Sequence, residues 1–115
     1  MNLPTEFKQA YLNLYLKGFR QPQPFLAYVY QLLSRRFRPG HEGYSVMKIC
    51  ELFRRSVEQD FGKLAQPVLQ NWGINHYKQL GHAIFALAEQ GYLRLQENDS
   101  MEDFVKAGNI DLEKV

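Results

Sequence analysis

Read by the spacing of its apolar residues, the chain alternates between helical stretches and short breaks. Behind Pro4, residues 5–17 place Phe7, Ala10, Tyr11 and Leu14 on one helical face, and Gly18 closes the run. Gln21-Pro22-Gln23-Pro24 reads as a short turn, with Pro24 suited to a first helical position, where the missing N–H has no partner to lose. Phe25, Tyr28, Val29, Leu32, Leu33 and Phe37 then keep the i, i+3, i+4, i+7 rule until Pro39, Gly40 and Gly43 break it. Ser45 predicts an N-cap for a helix carrying Val46, Ile49, Cys50, Phe53 and Val57 and ending at Gly62.

A shorter helix follows, with Leu64, Val68 and Trp72 four apart and Pro67 tolerated in its opening turns. Gly73 ends it. Asn75 predicts an N-cap for residues 76–90, whose buried face holds Tyr77, Leu80, Ile84, Leu87 and Ala88, and Gly91 stands where a C′ glycine belongs. Tyr92 to Leu95 reads as a short strand and Glu97 to Ser100 as a turn. Residues 100–107 allow a return strand or a short helix opened by Ser100 and Asp103 and ended by Gly108. The helix is favoured, because Glu102 and Asp103 suit a helix N-terminus. The pattern predicts a mainly α fold (α+β with a minor strand or hairpin), with about five helices in a compact, winged-helix-like order. One domain is expected over 1–115, with 106–115 a loosely ordered C-terminal tail.

Composition narrows this picture. A chain of 115 residues can bury roughly two thirds of its unfolded surface in one core. With 45% hydrophobic and 23% charged residues it has the balance of a globular protein. Cys50 is the only cysteine, which rules out an intrachain disulfide and fits a reducing compartment. The opening MNLPTEFKQAYLNL lacks a basic stretch followed by an apolar one, and no apolar run approaches a membrane span. A cytoplasmic protein with no membrane partner is expected. Charge is split: residues 1–60 hold nine Lys/Arg against five Asp/Glu, whereas residues 89–115 hold three against seven. Such a split steers charged partners and says nothing of fold.

The stretch Asn71 to Leu93 gathers the single tryptophan and two of the three histidines. His76 and His82 are six apart, about 120° around a helix, where zinc on one helix wants a spacing of three or four. His41 is distant and Cys50 lies on an apolar face, so no metal ligand set forms. A buried Cys50 is a small hydrophobe rather than a nucleophile. No nucleophile elbow or glycine-rich phosphate loop is present, and Glu97, Asp99, Glu102 and Asp103 fall in a solvated stretch. No catalytic residue, cofactor, metal or small-molecule ligand is expected, and an enzyme with an unrecognised site is the third reading.

A winged-helix order raises nucleic acid. The candidate recognition helix would expose Lys78, Gln79, His82, Ala86 and Glu89, which carry no net charge, and the segment in the place of a wing, QENDSMED, is acidic. Basic residues lie elsewhere: Arg35, Arg36 and Arg38, with Lys17 and Arg20 earlier, are the candidate nucleic-acid contacts. Arg54 and Arg55 have Glu58 and Glu51 four residues away and read as intrahelical pairs. Trp72 reads as a core anchor.

DFGKLAQPVLQNWGI, then LGHAIFALAEQGYL, then DSMEDF, with FRQPQPFLAYVY upstream, resembles the uncharacterised repeat-protein family named for Planctomycetes and Verrucomicrobia. The resemblance spans roughly residues 18–105. Leu80 stands where that family has phenylalanine, and HEGYSVMKICEL departs from its histidine and serine-glycine segment. The resemblance implies a small bacterial protein acting through binding and transfers no catalytic residue. The leading expectation is a non-catalytic protein-interaction module, self-associating or bound to another protein; the alternative is a nucleic-acid-binding accessory protein.

Overall fold

The computed structural model describes residues 7–36, 45–93 and 100–112. They form six α-helices: α1 (Phe7–Leu16), α2 (Pro22–Arg36), α3 (Val46–Phe61), α4 (Ala65–Trp72), α5 (Tyr77–Glu89) and α6 (Met101–Ala107), with a 3-10 turn over Gly62–Leu64 between α3 and α4. The mainly helical reading holds. Six helices are described where about five were expected, and residues 100–107 take the favoured helix over the return strand, with Glu102 and Asp103 in its first turn. The predicted strand at Tyr92 is a bend where it is described, at Tyr92 and Leu93, and Arg94 and Leu95 lie outside the described residues.

Most boundaries follow local chemistry. Gly18 closes α1, Phe19 N–H reaching back to Leu14 O at 3.1 Å. Ser45 caps α3 as expected, its Oγ accepting from Lys48 N–H at 3.2 Å. Past α5, Gly91 lets Tyr92 N–H return to Leu87 O at 2.9 Å. Two predicted starts move. α2 begins at Pro22, so that both Pro22 and Pro24 sit in its first turn, where neither needs an N–H. The N-cap of α5 is His76 and not Asn75.

Helix α5 is the hub. It packs against α1, α2 and α6, while α3 packs against α4 and α6. Seven of its residues are buried: Tyr77, Leu80, Gly81, Ala83, Ile84, Ala86 and Leu87. The closest approach is at Gly81, where a Cβ would fall 2.7 Å from the Phe104 ring of α6. Glycine there lets a fully buried phenylalanine lie directly on the α5 backbone. The core runs on through Leu14 of α1, Phe25, Leu26 and Val29 of α2, and Phe53 and Val57 of α3.

Of the C-terminal stretch 106–115, residues 106–112 are described. Lys106 and Ala107 belong to α6. Beyond it, Tyr77 N–H donates to Gly108 O at 2.9 Å and Ile110 N–H to Asn75 O at 3.0 Å. An antiparallel bridge joins His76 to Asn109 between them, the single β contact among the described residues. No described helix is long and apolar enough to cross a membrane.

Candidate functional site

Trp72 is 6% exposed at the end of α4 and anchors an aromatic cluster. Its ring lies 5.5 Å from Tyr28, 5.8 Å from Phe25 and 5.9 Å from Phe61, tying α2, α3 and α4 together. Centroid spacings in this range are those of favourable ring pairs. Tyr28 adds polar links to α3, with its hydroxyl 2.7 Å from Ser56 Oγ and donating to Asp60 Oδ2 at 2.8 Å. Burial, and the Asp60 carboxylate beside it, push that phenol far above its ordinary range. It stays protonated and acts as a strut.

The turn between α4 and α5 is built from side chains. Gln79 Oε1 accepts from the backbone N–H groups of Asn75 and His76, at 2.7 and 2.9 Å, and its Nε2 donates to Gly73 O at 2.7 Å. His76 Nδ1 accepts from Lys78 N–H at 3.0 Å. His76 is therefore a capping residue, its Nδ1 engaged as a hydrogen-bond acceptor. Gly73 takes φ +77°, and a Cβ there would lie 3.0 Å from Arg20 Cβ. The Arg20 side chain crosses this turn at close range.

An open groove of about 630 Å³ lies where α3 starts, α5 starts and α6 ends. Met47, Lys48, Cys50, Arg54, Tyr77 and Ala107 line it. Its chemistry is quiet. Burial pushes the Cys50 thiol up to about 12, so a thiolate nucleophile does not form near neutrality. Desolvation likewise raises Tyr77. Arg54 is bound to Glu58 at 2.5 Å. Among the described residues no three His, Cys, Asp or Glu side chains are placed to share a metal ion.

The surface is more informative, and it separates the cations into two groups. Three are paired within their own helices, on α3 Arg54 with Glu58 and Arg55 with Glu51 at 2.9 Å, and on α6 Lys106 with Glu102 at 3.6 Å. Lys17, Arg20 and Lys78 have no carboxylate partner among the described residues. Lys17 and Lys78 lie close enough to His82 to act on its charge, and the Arg20 side chain lies against Gly73. The His82 ring meets Phe19 edge-on at 6.3 Å, and Arg20 follows Phe19 in the chain. Desolvation, then the positive charges of Lys17 and Lys78, hold the imidazole below its ordinary 6.5, so it is neutral at pH 7.

Beside this cluster, α1 presents an apolar face to solvent. Ala10 and Leu14 are fully buried, yet Leu12, Tyr15 and Leu16 are 47, 58 and 81% exposed. Spaced i, i+3 and i+4, they make one row on a helix whose opposite side is anchored in the core. Leu16 is followed directly by Lys17, so the row ends where the cations begin.

Of the residues singled out from the sequence, Trp72 is in the core. Lys17 comes together with Lys78 and His82, and Arg20 lies on the Gly73 turn. Arg35 and Arg36 close α2, and Arg38 lies outside the described residues. The face sketched for α5 is largely closed: Ala86 is 4% exposed, Gln79 is held in the cap, and only Lys78 and Glu89 on that helix are exposed. The Leu12–Tyr15–Leu16 row was missed, although α1 carries more apolar residues than one buried stripe needs. No protein-family model, curated protein or solved structure matches this chain.

Proposed function

We propose that this protein is a non-catalytic interaction module whose docking face is the outer side of α1. One observation carries the reading: Leu12, Tyr15 and Leu16 form a solvent-facing apolar row on a helix fixed to the core by Ala10 and Leu14. Exposed apolar residues scattered singly need no explanation, but a row at helical spacing is the form of a helix-to-groove or helix-to-helix contact. Binding to another protein, or to a second copy, in a bacterial cytoplasm fits this face. The winged-helix-like order and the kinship with the Planctomycetes and Verrucomicrobia repeat-protein family belong to the same reading and rest on the order of motifs in the sequence.

The test compares the wild-type chain with Leu12→Ser/Leu16→Ser by affinity capture from lysate and by sedimentation across concentration. The expected result is a partner, or a rise in mass, present with the wild type and lost with the variant. Equal behaviour of the two overturns the reading. A strict monomer at high concentration removes self-association.

Nucleic-acid binding is the second reading, and the unpaired Lys17 and Arg20 favour it. Against it stands the narrow exposed stripe of α5, where Lys78 and Glu89 are the exposed residues and carry opposite charges. Loss of salt-sensitive binding to labelled DNA or RNA in a Lys17→Glu/Arg20→Glu variant is the result that would restore it.

A further inference from the structure

The unpaired cations and the apolar row meet at Leu16 and Lys17, and their conjunction narrows the partner. We propose that this combined surface binds an acidic amphipathic helix, whose apolar side lies along Leu12, Tyr15 and Leu16 and whose carboxylates face Lys17, Arg20 and Lys78. The inference rests on the interaction reading above and adds the chemistry of the partner.

Three observations support it. First, Lys17, Arg20 and Lys78 have no carboxylate partner among the described residues, while Arg54, Arg55 and Lys106 are neutralised by carboxylates one turn away. An unpaired cluster keeps its long-range field and its capacity for charge-assisted hydrogen bonds, both of which favour an anionic partner. Second, the cluster is held in place from beneath. The Arg20 stem lies on the Gly73 turn, Phe19 is 7% exposed under His82, and Lys78 sits in the first turn of α5 beside the His76 cap. Third, Leu16, the most exposed large hydrophobic residue described, adjoins Lys17. A nucleic-acid backbone satisfies the cations and leaves Leu12 and Leu16 in water, while a neutral apolar partner does the reverse. An acidic amphipathic helix satisfies both, because its apolar stripe and flanking carboxylates lie on neighbouring faces of one cylinder. The acidic partner also faces no opposing carboxylate on the first two turns of α5, where Lys78 is the charged side chain.

The experiment uses the full chain, labelled with nitrogen-15, and synthetic helical peptides of about 18 residues, or five turns. One carries a leucine stripe flanked by Glu, a second the same stripe flanked by Lys, and a third flanked by Gln; single-stranded DNA and RNA oligomers are titrated in parallel. The Glu peptide is expected to move the amides of residues 12–20 and 78–82 and to bind more weakly as salt rises. Lys17→Gln/Lys78→Gln should weaken it by about ten-fold, and Leu16→Ser by a similar factor, the cost of one lost anchor. The Lys peptide should not bind. All these positions are on the surface, and unchanged circular dichroism confirms that each variant is folded.

Equal affinity for the Glu and Gln peptides, with α1 amides still moving, overturns the acidic partner and leaves the interaction face standing. Oligonucleotides binding at the cations while no peptide binds transfers the surface to nucleic acid. Failure of every probe overturns the proposal, and the capture experiment then decides the broader reading separately. A rise in mass that Leu12→Ser/Leu16→Ser abolishes, with no peptide bound, assigns the row to a second copy instead.

Discussion

Helices α1 and α5 are both rich in apolar residues, yet the fold treats them differently. α5 has α1, α2 and α6 around it, and its apolar side chains are covered almost all the way round. α1 lies at the edge, with Ala10 and Leu14 covered and Leu12, Tyr15 and Leu16 in solvent. The same residue type thus has two consequences. On α5 it holds the fold together, and on α1 part of it faces solvent. Position in the packing, not hydrophobicity, makes the distinction.

That contrast is open to direct attack. Trp72→Ala, which removes the ring joining α2, α3 and α4, should cost about 3–5 kcal/mol, and Leu87→Ala in α5 about 2–5 kcal/mol. Leu16→Ala on α1 should stay within about 0.5 kcal/mol of wild type. Urea unfolding of the three variants reads all of these, and a large loss at Leu16 would mean that the outer row of α1 belongs to the core after all.

Gly81→Ala probes the hub from the other side. Its added methyl meets the Phe104 ring, and either α6 or the ring must move, at a cost of about 1–3 kcal/mol. In an exposed helix the same change is stabilising by roughly 0.5–1 kcal/mol, so the sign is diagnostic. Adding Phe104→Leu should recover part of the loss, and full additivity in that double-mutant cycle would refute the contact.

The smallest effect concerns charge. His82 is held below 6.5 first by desolvation and then by Lys17 and Lys78. The unfolded chain therefore binds a proton more readily than the folded one. Stability is unaffected above about pH 6.5 and falls as pH drops from there through the lower folded-state value. NMR titration should find the midpoint below 6.5, and Lys17→Ala and Lys78→Ala should each raise it. A midpoint indifferent to both would separate the cations from the imidazole and weaken the idea of one cluster.

Much of the framework was legible because it is local. Ser45 as a cap, Gly62, Gly73 and Gly91 as helix ends, and the spacing of Val46, Ile49, Cys50, Phe53 and Val57 depend on a few neighbouring residues each. The misplaced features were those settled by partners far along the chain. Asn75 is a fair N-cap by composition, but its backbone N–H goes to Gln79 and its carbonyl to Ile110, which leaves the cap to His76. The bridge of Asn109 to His76 is likewise a contact between residues some thirty positions apart, which local pattern does not show.

The candidate surface divides in the same way. The sequence showed that Lys17 and Arg20 are basic and that Arg54 and Arg55 have carboxylates one turn away, since helical spacing alone settles those pairs. It could not show that Lys17 and Lys78 converge on His82, because residues sixty positions apart are brought together only by the docking of α1 on α5. Nor could it separate Leu14 from Leu16. Both are leucines on one helix, and the neighbours that bury one and leave the other in water are supplied by the packed tertiary structure.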